Sequence, residues 1–258
     1  MKSLWNSFKI AFSMFSKIPM PQADWSKENM KYMFLFFPWI GMVIGAVVYG
    51  AAYAGGKLGF QTAFINVVLL LIPVFITGGI HVDGLLDTSD AMSSWQERSR
   101  RLEILKDSNA GAFAVITACI YFLLWYAACS QINLNLQVFA VLGLGFILSR
   151  TLSGLGVLMI PKAKADGTVA EFSKKSENTV VRNVLFGYLI LLLAGMVWIH
   201  PILGAMAFFA AVLVFAYYYH MAMKYFGGTT GDLSGFFVCL CELVMALTLA
   251  VGSNFIGI

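Results

Sequence analysis

Long apolar runs separated by short polar stretches dominate this chain. A helix rising 1.5 Å per residue crosses roughly 30 Å of hydrocarbon with about 20 residues. Runs of suitable character lie at 34–54, 62–82, 111–130, 136–160, 184–199, 202–223 and 233–252. They predict seven transmembrane helices. Six or eight are the alternatives, because His200-Pro201 reads either as a tight turn between two spans or as a kink within one hairpin. Gly41 and Gly45 form a G-x-x-x-G pattern, where a neighbouring helix can approach closely. Ahead of the first run, Leu4, Trp5, Phe8, Ala11, Phe12 and Phe15 share one arc of a helical wheel, while Lys2, Asn6, Lys9, Ser13, Ser16 and Lys17 lie opposite. This predicts an amphipathic helix within 1–20, lying flat in the membrane interface and ending at Pro19 and Pro21. The expected fold class is therefore all-α: a polytopic integral membrane helical bundle over 34–252, within one membrane-embedded domain, 1–258. No internal repeat or low-complexity segment divides it.

Composition supports the same class. Only 12% of the 258 residues are charged and 60% are hydrophobic, against about 25% charged in soluble chains. An ordinary soluble enzyme, a disordered chain and an extended nucleic-acid binder are excluded; the expected surroundings are a lipid bilayer, with no nucleic acid as partner. Cys119, Cys129, Cys239 and Cys241 all lie inside apolar runs and read as packing residues. Lys9 and Lys17 interrupt the N-terminal pattern and no small-residue cleavage site follows, so it does not read as a signal peptide. Of the 17 basic residues, all but Lys57 and Arg150 fall in segments on one side of the expected membrane. By the positive-inside rule that side is cytoplasmic, and seven spans would leave the C-terminus outside.

The acids are distributed still less evenly. Six of 13, namely Asp83, Asp87, Asp90, Glu97, Glu103 and Asp107, lie within 81–110. If 83–90 is helical, Asp83, Asp87 and Asp90 project at about 0°, 40° and −20°, on one face. Carboxylates so close repel unless a cation sits among them. Magnesium is the expected ion, since it takes hard oxygen ligands and completes its shell with water and substrate phosphate. Gly78, Gly79 and Gly84 would loosen the backbone for a phosphate to approach. His81 would point away from the Asp face in a continuous helix, and becomes a general base if the helix breaks near Gly84. A second polar island, Gly227-Gly228-Thr229-Thr230-Gly231-Asp232, falls on the same side and resembles an anion cradle at a helix start. Ser108, in the loop after Asp107, is a further candidate substrate contact.

Two charges remain inside the hydrocarbon. Arg150 precedes Pro161 by 11 residues and Glu242 follows Asp232 by 10, so each lies roughly 15 Å from the same face. Equal depth predicts a salt bridge between the fourth and seventh spans. The competing expectation is that one of them faces a water-filled substrate cavity, so both also count as candidate substrate-binding residues.

Taken together, Gly78-Gly-Ile-His81-Val-Asp83-Gly-Leu-Leu-Asp87-Thr-Ser-Asp90, Lys106-Asp107-Ser108-Asn109-Ala110-Gly111 and Gly227-Gly-Thr-Thr-Gly-Asp232 closely resemble the motifs of the cobalamin synthase family. The likeness extends to Lys17-Ile-Pro19-Met-Pro21, Phe37-Pro38-Trp-Ile-Gly41, Ser149-Arg150 and Glu242-Leu-Val, in order over almost the whole chain. Ala114 departs from a common glycine, and 162–182 matches loosely, with Asp166-Gly167 and Phe172 as landmarks. The resemblance implies an adenosylcobinamide-GDP ribazoletransferase in a bacterial plasma or inner membrane, its active site facing the cytoplasm. Such an enzyme transfers the cobinamide phosphate from adenosylcobinamide-GDP to α-ribazole or α-ribazole 5′-phosphate, releasing GMP. It implies magnesium as cofactor, held by Asp83, Asp87 and Asp90 with Asp107 and Asp232 as further ligands or supports. His81 or one of the Asp residues would accept the hydroxyl proton. Arg98, Arg100, Arg101 and Lys106 would attract the nucleotide or contact anionic lipid. The chain is left free to act alone or as a homo-oligomer. Two rivals fit less well: a CDP-alcohol phosphotransferase would continue Asp-Gly-x-x-Ala-Arg, where Asp83-Gly84-Leu85-Leu86 is followed by Asp87-Thr88, and a transporter would place its polar cluster near the midplane.

Overall fold

In hydrocarbon no water satisfies peptide groups, so each apolar run must bond within itself and becomes a helix. The computed structural model describes residues 2–163, 168–176 and 178–257; Asp166 and Gly167, named above, lie outside them. Among the described residues the fold is all-α, its one β contact being a bridge between Lys162 and Thr229. In chain order the helices are α1 (Lys2–Phe15), α2 (Lys27–Met30), α3 (Met33–Leu58), α4 (Thr62–Thr77), α5 (Ile80–Ser93), α6 (Arg98–Ile104), α7 (Ala112–Ile132), α8 (Leu136–Met159), α9 (Thr168–Lys175), α10 (Asn178–Ile199), α11 (Pro201–Met221) and α12 (Gly231–Ile256). A π-helical turn, Ala222–Phe226, extends α11.

Six helices (α3, α7, α8, α10, α11 with its extension, and α12) are long and apolar enough to cross a membrane, and α4 with α5 makes a seventh if that bent pair is one span. The protein is a multi-pass membrane protein. The predicted span 62–82 needs correction: α4 stops at Thr77, and α5 leaves at 93° to it. The turn is made by Gly78 and Gly79 at φ +67° and +79°, a region open to glycine because it lacks Cβ. Their N–H groups bond back to Phe75 and Val74, closing α4. These glycines fix a corner and do not loosen the chain. α5 crosses the start of α12 at the end of the bundle.

α8 and α12 are the central helices; α7 and α10 leave most of their surface outward. The G-x-x-x-G expectation holds: a Cβ on Gly41 would fall 2.2 Å from the Phe146 carbonyl oxygen, and one on Gly45 would fall 2.4 Å from that of Gly143. The backbones of α3 and α8 therefore touch. His200-Pro201 is a turn between two helices. The His200 imidazole accepts from the Leu203 N–H at 3.2 Å, and Gly204 sits where any Cβ would strike Met196. All four cysteines are free.

α1 ends before Pro19 as expected, but its two faces are used differently from the wheel. Lys9, assigned to the solvent side, is buried and its Nζ donates to the Gln22 carbonyl at 2.9 Å. Ser7 donates to the Asn29 carbonyl at 2.6 Å. The segment around α2 folds back over this polar face, while Leu4 and Trp5 are exposed.

Candidate active site at the basic end of the bundle

The segments rich in Lys and Arg meet at one end. Lys17 N–H bonds to the Ile76 carbonyl at 2.8 Å, and its aliphatic stem lies where a Cβ on Gly78 would be. Arg98 lies against Gly227, and Pro161–Ala163 runs beside Gly228. α5 is helical without a break from Ile80 to Ser93, so Asp83, Asp87 and Asp90 do share a face. No break occurs near Gly84, the condition under which His81 would act as a general base. Gly84 instead permits contact: a Cβ there would lie 2.5 Å from the Asp232 carbonyl oxygen, and one on Gly235 would lie 3.2 Å from the His81 backbone. This near-backbone crossing brings Asp83 and Asp87 beside Asp232 on α12.

The electrostatics follow. Burial, then the neighbouring charges of Asp83, Asp232 and Asp90, push the Asp87 carboxyl up to about 6. Asp90 has another partner set: its Oδ2 accepts from the Gly111 N–H at 2.6 Å and its Oδ1 from the Ala114 N–H at 2.8 Å. It caps α7, where a negative charge meets the positive end of the helix, so both its oxygens already have partners within the chain. Asp107 sits in an exposed loop and accepts from the Asn109 backbone and side chain at 3.0 and 2.9 Å, which holds it below the usual carboxylate range. Ser108 is exposed in the same loop, among the residues between α6 and α7.

His81 is buried. Its ring stacks on Phe37 at a centroid distance of 5.9 Å, and Nδ1 has no hydrogen-bond partner. Burial, and then the Arg150 charge, hold the imidazole well below its usual range, so it is neutral. With Asp83, Gly231 and Asp232 it lines a cavity of about 230 Å3 reaching between α1, α3, α8 and α9. A more open groove of about 600 Å3, lined by Lys17, Thr77, Gly78, Gly79 and Asp83, approaches from the other side. Asp83 borders both spaces.

A model of the cobalamin-5-phosphate synthase family matches residues 7–250. The chain belongs to this family. Among curated relatives, the adenosylcobinamide-GDP ribazoletransferase of Lachnoclostridium phytofermentans is 41% identical over 97% of this chain and 95% of its own. Those of Desulfitobacterium hafniense and Clostridium perfringens are 32% and 29% identical, over 96% and 97% of this chain and 96% and 100% of their own. No solved structure matches the chain.

Within the chain the second polar island is bonded differently from a phosphate cradle. The N–H groups of Gly227 and Gly228 bond to the Ala222 carbonyl and that of Thr229 to Pro161. The Thr229 hydroxyl is buried against Tyr218 and Ser234. A Cβ on Gly228 would lie 2.4 Å from the Pro161 carbonyl oxygen, so this glycine makes room for a crossing chain. Gly227, Gly228 and Thr229 thus build a structural knot and not an anion cradle. Only the α12 start, with Gly231 and Asp232, reaches the cavity, held by Thr230 accepting from the Leu233 N–H at 3.2 Å.

Arg150 and Glu242 pair as predicted, Nη1 to Oε1 at 2.5 Å, and Ser149 donates to the same oxygen at 2.9 Å. Both ion-pair side chains are buried, and neither lines the cavity or the groove beside Asp83, so the expected salt bridge is present. The basic cluster also divides: Arg101 is buried, donating to the Gln96 carbonyl and covering the Tyr225 ring, while Arg100 pairs with Glu103 on the surface.

Among the described residues no three His, Cys, Asp or Glu side chains converge as a ready-made metal cage. Magnesium does not require one, since it commonly uses one or two carboxylates and takes its other ligands from water and phosphate. Asp83, Asp87 and Asp232 are hard oxygen donors of that kind. Burial, with the charges of its acidic neighbours, holds the Asp87 carboxyl above the usual carboxylate range, as a site that gains from a nearby cation would. The donor set fits the ion.

Proposed function

We propose that this enzyme is an adenosylcobinamide-GDP ribazoletransferase, magnesium-dependent, acting at the cytoplasmic face of a bacterial plasma or inner membrane. The observation that carries the site assignment is the α5–α12 crossing, which sets Asp83 and Asp87 beside Asp232 at the edge of both the cavity and the groove. Family membership and the names of the relatives support the chemistry. The gathering of nearly all basic residues at this end supports the orientation.

In the reaction a hydroxyl oxygen of α-ribazole, or of its 5′-phosphate, forms a bond to the phosphorus that carries cobinamide. The bond from that phosphorus to the bridging oxygen of the pyrophosphate breaks, and the electron pair leaves with GMP. When bound, magnesium supplies positive charge against the pyrophosphate. Asp83, Asp87 and Asp232 would hold the ion. Lys17, at the groove shared with Asp83, would face the incoming phosphates. One of the clustered carboxylates accepts the hydroxyl proton as the new bond forms, and His81 lines the cavity beside Asp83. The apolar wall behind it keeps bulk water away from the phosphorus.

The direct test uses purified protein in liposomes with adenosylcobinamide-GDP, α-ribazole and magnesium, following GMP. GMP release that stops on chelation is expected. Failure to release GMP, with CMP formed from a CDP-alcohol instead, overturns the assignment.

A further inference from the structure

Beyond Asp83 the enclosed cavity changes character. Phe15 packs on Phe37 at 4.5 Å and on Phe34 at 6.5 Å between ring centroids, and Phe37 stacks on the His81 imidazole at an interplanar angle of 29°. Phe172 of α9 and Val157 of α8 extend this apolar lining, and His81, Asp83, Ser153, Asp232 and Ser234 supply its polar side chains. The space thus joins an aromatic wall to a small set of polar groups that includes two of the clustered acids.

We propose that this cavity seats the uncharged bicyclic aromatic base of the acceptor nucleoside, with its sugar hydroxyl at His81 and Asp83. This rests on the transferase reading of the same site and adds where and how the acceptor is held. Size excludes the corrinoid: about 230 Å3 is below the roughly 300–1,000 Å3 of sites that enclose whole drug-sized ligands, so one fused ring system fills it. Chemistry disfavours the base of the donor. Guanine presents acceptors at N7 and O6 and an amino donor at N2, more polar edge than suits a lining dominated by Met14, Phe15, Phe34, Phe37, Val157 and Phe172. An apolar base loses no hydrogen bonds on entering and gains aromatic stacking. The donor nucleotide is left to the open groove, where Lys17 and the Gly78–Gly79 corner stand.

The test measures binding of radiolabelled benzimidazole to the full-length protein in nanodiscs, without donor or magnesium. It also measures KM for each substrate in the complete reaction. Saturable binding is expected, displaced by α-ribazole and not by guanosine. Val157→Phe, which fills the cavity, is expected to weaken that binding and raise the acceptor KM by about tenfold, leaving the adenosylcobinamide-GDP KM within about twofold. Should Val157→Phe aggregate on size-exclusion chromatography, Phe172→Leu is the milder variant, with a loss of about threefold. Displacement by guanosine, or unchanged acceptor KM in a folded variant, overturns the proposal. If benzimidazole binds as expected but no substrate pair releases GMP, the transferase reading fails and the cavity assignment stands. If GMP is released while benzimidazole neither binds nor competes, the cavity assignment fails alone.

Discussion

Asp232 and Glu242 lie on the same helix, yet their surroundings treat negative charge in opposite ways. Glu242 is met inside the bundle by Arg150 at 2.5 Å and Ser149 at 2.9 Å. Asp232 lies at the end of the bundle with Asp83 and Asp87, where every charge acting strongly on Asp87 is negative. Glu242 is neutralised inside the fold, whereas Asp87 sits among other carboxylates. Opposite charges drawn together inside a bundle serve its architecture; like charges gathered at a cavity mouth suit the binding of a cation.

The largest effect expected from breaking this contrast is on the buried pair. Arg150→Met or Glu242→Met alone leaves an uncompensated charge and should cost about 3–5 kcal/mol, read as loss of folded protein in detergent. The double variant should recover most of it; a double no better than the singles would refute the structural role. Next come Asp83→Asn and Asp87→Asn, each expected to lower turnover by about 100-fold, or about 2.7 kcal/mol of barrier, with melting temperature nearly unchanged. Magnesium titrated into substrate-free wild type should raise that melting temperature, and the Asp87→Asn variant should not respond. Gly84→Ala then probes the crossing that unites the acids. With Cβ 2.5 Å from the Asp232 carbonyl oxygen, about 1–3 kcal/mol of overpacking should appear together with a fall in activity, whereas Gly50→Ala, with nothing within 4 Å, should be silent. The smallest effect is expected at Asp90→Asn, about 1 kcal/mol from a weakened cap on α7. Turnover there should stay well above that of the Asp83 and Asp87 variants; an equal loss would return Asp90 to the metal site.

Features that depend on local period and depth were legible in the chain. The spans followed from apolar run lengths, and the shared face of Asp83, Asp87 and Asp90 from helical spacing. The Arg150–Glu242 pair followed from equal distance to one membrane face. What was not legible depends on which remote element arrives. Gly84 resembles a flexible joint until α12 is laid against it. Asp90 resembles a ligand until the start of α7, more than 20 residues on, claims both its oxygens. The glycines of 227–228 resemble a phosphate loop until Pro161–Ala163 is threaded beside them. The aromatic cavity was hidden for the same reason, since Phe15, Phe37, His81 and Phe172 come from four helices and look like ordinary apolar positions on each. The Gly78-Gly79 pair did signal a change in the chain, but its sharpness, a 93° turn, depends on two consecutive left-handed residues that composition alone does not specify.

The buried ion pair also bears on how the protein is made. Arg150 is synthesised 92 residues ahead of Glu242, and at 5–20 residues per second roughly 5–18 s pass before its partner leaves the ribosome. During that interval α8 carries an unmatched guanidinium at membrane depth, which it can keep wet only by staying near the insertion machinery or sliding toward a headgroup layer. α12 thus brings the matching charge late in synthesis, and nascent chains stalled before α12 should be cut faster by protease than chains in which it has emerged.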